Sequence, residues 1–340
     1  MKVLHLPTEI SGQASLSVRG LRSLGIQAFS ALRPHPFGYN PSDYPLPERR
    51  GVNAILTWAK QLAFRFDVYH YHFADSVFGE KALYLDVWLE RLRGARVVPE
   101  FWGSDVRLPY LEACRNPYYR KFPGEDQRKA LFRIEVWSRL ARGHALVSDE
   151  QMASYVRPFF HHVHIVPQRV DVEALLPQFP DPSVGEPLLV HAPSAPQIKG
   201  TEFVRRAVER LKARGLRFRY VEITGKSHSE VLQLTRHADL VVDQLLLGAH
   251  GVYALEAMAL GKPVIAYIAP YMLGAYPQDL PIVNANPDTI EAVLRDWLSD
   301  GEARRARGEA SRAYVERRHD YRVVAQQLLE IYASLQGLSG

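Results

Sequence analysis

Apolar and polar positions alternate between two periods along the chain. Short apolar runs at Lys2–Leu6, Gln27–Leu32, Asp67–Tyr71, Ala95–Glu100 and His144–Val147 read as strands. Between them, Ala14–Leu24 (stopped by Gly25), Val52–Phe64, Lys81–Leu92 and Gln127–Ala141 have the spacing of helices. Residues 33–50 hold five prolines and the adjacent pair Arg49-Arg50, and read as a long surface loop of the kind that often carries function. After residues 172–187, with four prolines, the pattern starts again. Leu188–Val190, Arg217–Ile223, Leu240–Asp243 and Pro263–Ile268 read as strands, with helices at Thr201–Arg214, Ser229–Arg236 and Gly251–Leu260. Three closing helices are expected over 287–299, 301–315 and 321–336.

This alternation predicts parallel sheets covered by helices on both faces. The expected fold class is α/β, with two Rossmann-like, doubly wound domains facing across a cleft. The first domain spans 1–171, the linker 172–187 and the second domain 188–320, while a C-terminal helix over 321–340 packs back on the first domain. Ligands of such folds bind at the C-terminal ends of the strands.

Composition narrows the picture. With 340 residues, 47% apolar and 23% charged, the chain is expected to form about two globular domains, which excludes disordered, collagen-like and disulfide-stapled classes. No apolar run reaches about 18 residues, so no membrane-spanning helix is expected, and the N-terminus lacks the long apolar core of a secretory signal. The single cysteine, Cys114, permits neither an internal disulfide nor a cysteine metal site. A cytoplasmic location is therefore expected. Of the 42 basic residues 33 are arginine, and the net charge is +5, which suits phosphate or carboxylate ligands or an anionic membrane surface. Tyr118-Tyr119-Arg120-Lys121 and the arginines of 128–142 mix aromatic and basic side chains, and peripheral contact with the inner membrane face is a further expectation. Nothing matches a zinc finger, an RNA-recognition signature or a basic zipper, so nucleic acid is not an expected partner.

The segment 239–264 is the richest in chemistry. It reads as strand, glycine-bearing turn and helix. Gly251 lets backbone approach a ligand, and the helix start behind it offers free N–H groups to phosphate. Glu256, in the body of that helix, is placed to accept hydrogen bonds from a ribose diol; a capped, buried helix with a paired acid is the alternative.

Here the sequence resembles the donor-site signature of retaining GT-B glycosyltransferases of the family 4, or group 1, type. Asp239 is followed seventeen residues later by Glu256 of Glu-Ala-Met-Ala, with Gly251 five residues before that Glu and Gly261-Lys262-Pro263-Val264 after it. Lys199-Gly200 resembles the family's Lys-Gly at the start of the second domain. Gly12 resembles its N-terminal glycine loop, Gly103-Ser104-Asp105 its Gly-x-Asp turn, and Val166 to Asp171 its segment leading into the linker. The resemblance implies a glycosyltransferase of hexosyl type that moves a sugar from a nucleoside-diphosphate sugar with retention. It also implies no cofactor and no essential metal. Lys199, Glu256 and His250 are the catalytic candidates. Gly12, Lys199, Lys226, Gly251 and Glu256 are the donor-binding ones, and His72, Trp102 and Asp105 lie on the acceptor side. The acceptor is an unnamed glycan, lipid or small molecule.

Five positions depart from the family. Gly248 stands where a second Glu is usual, Ser194 where an Arg is frequent, Trp102 where a His precedes Gly-x-Asp, and Gln168-Arg169 where Asn-Gly is usual. Arg169, Lys226 and His250 are candidate replacements, His250 foremost because it shares the turn with Gly248. The histidines His70 and His72, and His161, His162 and His164, are expected as partly buried or cleft-lining side chains rather than metal ligands. Two alternatives stay open: a catalytically weak or silent nucleotide-sugar-binding or partner protein, and a sugar-nucleotide epimerase on the same scaffold.

Overall fold

The computed structural model describes residues 1–35 and 42–335. Part of the proline-rich loop expected over 33–50, residues 36–41, lies outside the described residues. The chain divides into two compact units. One comprises Met1–Pro109, Gly124–Arg169 and the chain from Tyr321 onward; the other comprises Tyr110–Pro123 and Val170–Asp320. Residues 110–123, expected inside the first domain, thus belong to the second unit, as do residues 172–187, expected as a linker.

The first unit is built on a six-stranded parallel sheet. Its strands are β1 (Lys2–Leu6), β2 (Gln27–Ser30), β3 (Val68–His72), β4 (Arg96–Phe101), β5 (His144–Val147) and β6 (His162–Ile165), in the order β2-β1-β3-β4-β5-β6. Neighbouring strand residues go to opposite cores. Val3, Val68 and Val98 pack with helices Gln13–Ser23 and Tyr321–Ser334. Leu4, Tyr69 and Val97 pack with Trp58, Val87, Ile134 and Trp137 of the helices between β2 and β5. Burial on both faces is why these strands read as nearly continuous apolar runs. The closing helix crosses Gln13–Ser23 closely: a Cβ on Gly20 would lie 2.6 Å from Ala325 Cβ. The single helix expected over Val52–Phe64 is an α-helix, Val52–Thr57, running into a π-helical turn, Trp58–Leu62.

The second unit carries five parallel strands: β7 (Leu188–His191), β8 (Arg219–Glu222), β9 (Leu240–Val242), β10 (Val264–Ala266) and β11 (Val283–Asn284), in the order β11-β10-β9-β7-β8. Helix Val252–Ala259 buries Ala254, Leu255, Ala257, Met258 and Ala259 against this sheet. Residues 172–187 are strapped to the unit rather than slack. Gln178 N–H donates to Leu260 O (3.0 Å), and the Arg312 guanidinium donates to the carbonyls of Val172, Leu175 and Ala259 at 2.6–3.0 Å. Strands β6 and β11 escaped the sequence pattern: none of the four β6 residues is buried, so no apolar run marks it, and β11 has only two residues.

Candidate functional site

In the second unit, chemistry gathers beyond the C-terminal ends of β7 and β9. Lys199 ends a short helix, Pro196–Lys199, instead of beginning the longer one; Gly200, at φ 76°, turns the chain into Thr201–Ala213. Lys199 Nζ donates to Asp243 Oδ1 and to Gln244 Oε1, both at 2.8 Å. Asp243 follows β9 directly, and its other oxygen accepts from Gly251 N–H at 2.9 Å. One buried carboxylate therefore joins the lysine to the N-cap of helix Val252–Ala259. Gly251 has an ordinary φ of −99°; its requirement is space, since a Cβ would lie 3.3 Å from both Lys199 Nζ and Asp243 Oδ2.

Gly248 explains the missing carboxylate. Its φ is +79°, and a Cβ there would meet Ala269 Cβ at 2.9 Å and Asn116 Nδ2 at 3.2 Å. Asn116 comes from residues 110–123 and donates to Leu246 O at 2.8 Å. The turn has no room for a glutamate side chain. His250 is buried in the same turn, with Tyr276 at 5.1 Å and His319 at 6.2 Å between ring centroids.

Glu256 is paired. His228 Nε2 lies 2.7 Å from Glu256 Oε1, and this hydrogen bond, partly offset by burial, raises the His228 pKa above its ordinary 6.5. Lys226, two residues earlier, instead pairs with Glu230 at 3.2 Å beside a Ser227 capping box. His228 was missed in the sequence because 28 residues separate it from Glu256.

The first unit's candidates lie at its own strand ends, largely buried. Gly12, at φ 78°, starts helix Gln13–Ser23, but Glu9 already occupies that start by accepting from Ala14 N–H and Ser15 N–H, both at 3.1 Å. His72, expected to face an acceptor, is fully buried: its Nε2 is 3.0 Å from His5 Nδ1, and its Nδ1 accepts from Trp102 Nε1–H at 3.3 Å. Burial lowers the pKa of His5, His70 and His72 well below 6.5, so all three are neutral at pH 7. Their ligating atoms lie within 4.8 Å of one another, the one such metal-capable group among the described residues. Asp105 turns inward rather than toward a ligand, accepting from Gly103 N–H (2.7 Å) and Trp102 N–H; burial pushes its carboxyl up to about 6. Arg169 is locked against Glu100 Oε1 at 2.6 Å, with the Trp102 ring 5.4 Å away, so it serves this unit's interior rather than a donor phosphate. Trp102 alone of these stays half-buried. Tyr118 and Arg120, expected to share a face with the arginines of 128–142, belong to the other unit, where they bind Asp288 and Glu202.

Residues 198–314 match the profile of the family "Glycosyl transferases group 1". Three solved structures similar over nearly the whole chain are of low identity. HepE from Anabaena, in complex with UDP and glucose, has a TM-score of 0.65 at 14% identity, covering 98% of this chain and 100% of that one. Sucrose-phosphate synthase from Thermosynechococcus elongatus has 0.66 at 15%, covering 100% of each. A glycosyltransferase from Rickettsia africae has 0.62 at 12%, covering 99% and 98%. No curated protein sequence matches. Among the described residues, no helix is long and apolar enough to cross a membrane.

Proposed function

We propose that this chain, which shares the fold of solved GT-B structures and whose residues 198–314 match the family "Glycosyl transferases group 1", transfers a sugar from a nucleoside-diphosphate sugar to an acceptor, with retention at the anomeric carbon and without an essential metal. The observation that carries the reading is the convergence of the Lys199 ammonium and the Gly251 N–H on one carboxylate, Asp243. The Gly251 N–H is itself taken by Asp243, so what a leaving diphosphate could use are the remaining Lys199 N–H and the N–H groups of the first helical turn behind Gly251. Two of the three Lys199 N–H groups are used by Asp243 and Gln244, leaving the third for a phosphate oxygen. In this reading Lys199 and the helix start neutralise the charge that develops as the sugar departs. Glu256, oriented by His228, accepts from the ribose hydroxyls, and His250 serves the transferred sugar where Gly248 offers only backbone. Lys226, exposed and paired with Glu230, is a weaker donor contact than Lys199. The acceptor is assigned to the first unit, with Trp102 as its half-exposed member.

A second reading rests on Gly248. Because the turn has no space for a carboxylate, a protein that binds a nucleotide sugar without turning it over fits the same residues. Mass spectrometry of nucleotides retained on the purified protein tests both readings together. A bound nucleoside diphosphate or its sugar supports them, and a protein that retains none and binds none on titration contradicts them.

A further inference from the structure

The face of the first unit's sheet turned to helices Gln13–Ser23 and Tyr321–Ser334 changes character along its strands. Val3, Val68 and Val98 pack there. Two residues further along each strand, the same face carries His5, His70 and Glu100, and His72 follows His70 by two more. The register brings the four together: His5 stands opposite His70, and His72 opposite Glu100. All four side chains are fully buried, where strands covered on both faces ordinarily place apolar ones.

Buried polar atoms need partners. Arg169 donates to Glu100 Oε1 at 2.6 Å, but Glu100 Oε2 and His70 Nε2 have no hydrogen-bond partner, although they lie 3.0 Å apart. His72 Nδ1 is 3.4 Å from the same oxygen, and His5 Nδ1 is 3.0 Å from His72 Nε2. One nitrogen from each of the three histidines lies within 4.8 Å of the other two. In a tetrahedral zinc site, with bonds of about 2.0–2.1 Å, neighbouring ligand atoms stand about 3.3 Å apart. The contacts of 3.0–3.4 Å bracket that spacing, and modest side-chain rotation draws the remaining ring in.

The surroundings suit a metal. Bound histidines are ordinarily oriented through their second nitrogen. The Tyr332 hydroxyl, from the closing helix, lies 2.5 Å from His70 Nδ1 and 3.3 Å from His5 Nε2. Burial keeps the three imidazoles neutral at pH 7, the form that ligates. Arg169 offsets the charge of the one carboxylate. Three imidazoles and a single oxygen favour zinc over calcium or magnesium, which take oxygen ligands. We propose that His5, His70, His72 and Glu100 form a zinc site that ties strands β1, β3 and β4 together, with Tyr332 orienting two of its histidines. The four enclosed side chains leave no open position for water, so the ion is structural and takes no part in sugar transfer. The proposal reverses the expectation from the sequence for His70 and His72, and it is independent of the donor chemistry assigned to the second unit. Coordination of His72 also displaces the Trp102 indole N–H, which donates to His72 Nδ1 at 3.3 Å.

The test is metal analysis of the full chain, purified without metal-affinity resin, then unfolded in guanidinium with EDTA and refolded with zinc, with cobalt(II) or with neither. The expected result is one zinc per chain that EDTA does not remove from the folded protein. Refolding without metal lowers the melting temperature and zinc restores it. Cobalt gives the strong visible absorption of a four-coordinate ion, and zinc uptake changes an indole fluorescence signal that Trp102→Phe removes. Tyr332→Phe, which keeps the ring and all four ligands, weakens zinc about 10–100-fold. A refolded chain that takes up neither zinc nor cobalt overturns the proposal. Zinc that EDTA strips from the folded protein, or that His162→Asn with His164→Asn on strand β6 removes while Tyr332→Phe does not, also overturns it and marks an adventitious ion only.

Discussion

Lys199 Nζ and Asp243 Oδ1 stand 2.8 Å apart, with Asp243 fully enclosed and Lys199 reaching it from the more open side. Lysine is thereby held in place before any ligand arrives. Replacing Lys199 by Ala is expected to lower nucleoside-diphosphate affinity by about 1.5–3 kcal/mol, the range for a hydrogen bond to a charged group. It also strands the buried Asp243 carboxylate and lowers stability by about 3 kcal/mol. Adding Asp243→Asn is expected to restore stability but not affinity, because Asn keeps an acceptor for Gly251 N–H. Calorimetry and urea unfolding on both variants separate the two effects. Affinity recovering along with stability would assign Lys199 a structural role.

Gly248→Ala is expected to destabilise the protein by about 1–3 kcal/mol. The added methyl would meet Ala269 Cβ at 2.9 Å, and the φ of +79° suits glycine. Urea midpoints report it. An unchanged midpoint would mean that the turn has slack, and that the absence of a glutamate here has another cause.

The site was legible in the sequence where its parts are local. Gly251, five residues before Glu256, announces a helix start, whereas Lys199, read as entering the longer helix, ends a short one before the turn at Gly200. What was illegible depends on long-range packing. Asn116 is 130 residues from Leu246, whose carbonyl it holds beside Gly248, and no periodicity reveals that residues 110–123 join the second unit. His72 read as a ligand-facing strand residue. Its burial follows from His5, Glu100 and Trp102 arriving from two neighbouring strands and the turn after one of them. The fold fared better, because strands buried on both faces leave an apolar run that a single sequence displays.

The His228–Glu256 pair gives a pH dependence. Since the His228 pKa is raised in the folded protein, chiefly by its hydrogen bond to Glu256, the pair stabilises fully below the ordinary value of 6.5. That contribution is lost as pH rises through the higher folded value. The stability difference between the protein and His228→Gln is therefore expected to shrink from pH 6 toward pH 9. A difference that stays constant or grows would contradict a charged pair. In the ligand, Glu256→Gln is expected to weaken a ribonucleotide more than its 2′,3′-dideoxy analogue, as calorimetry would read. Equal losses would confine Glu256 to its pairing with His228.

His250→Ala is expected to reduce turnover of the nucleotide sugar much more than affinity for the nucleoside diphosphate alone. The imidazole lies in the turn with Gly248 and can donate or accept at neutral pH. Steady-state rates beside calorimetry measure the split. Matched losses would mean that the ring, packed near Tyr276 and His319, only supports the turn.

The most direct measurement is donor turnover by the purified chain across a panel of nucleoside-diphosphate sugars, without acceptor and in the presence of EDTA. Release of nucleoside diphosphate from at least one donor, undiminished by the chelator and abolished by Lys199→Ala, is the expected result. Release from no donor, or release lost with EDTA and restored by magnesium or manganese, would contradict metal-independent sugar transfer centred on Lys199 and the helix start at Gly251.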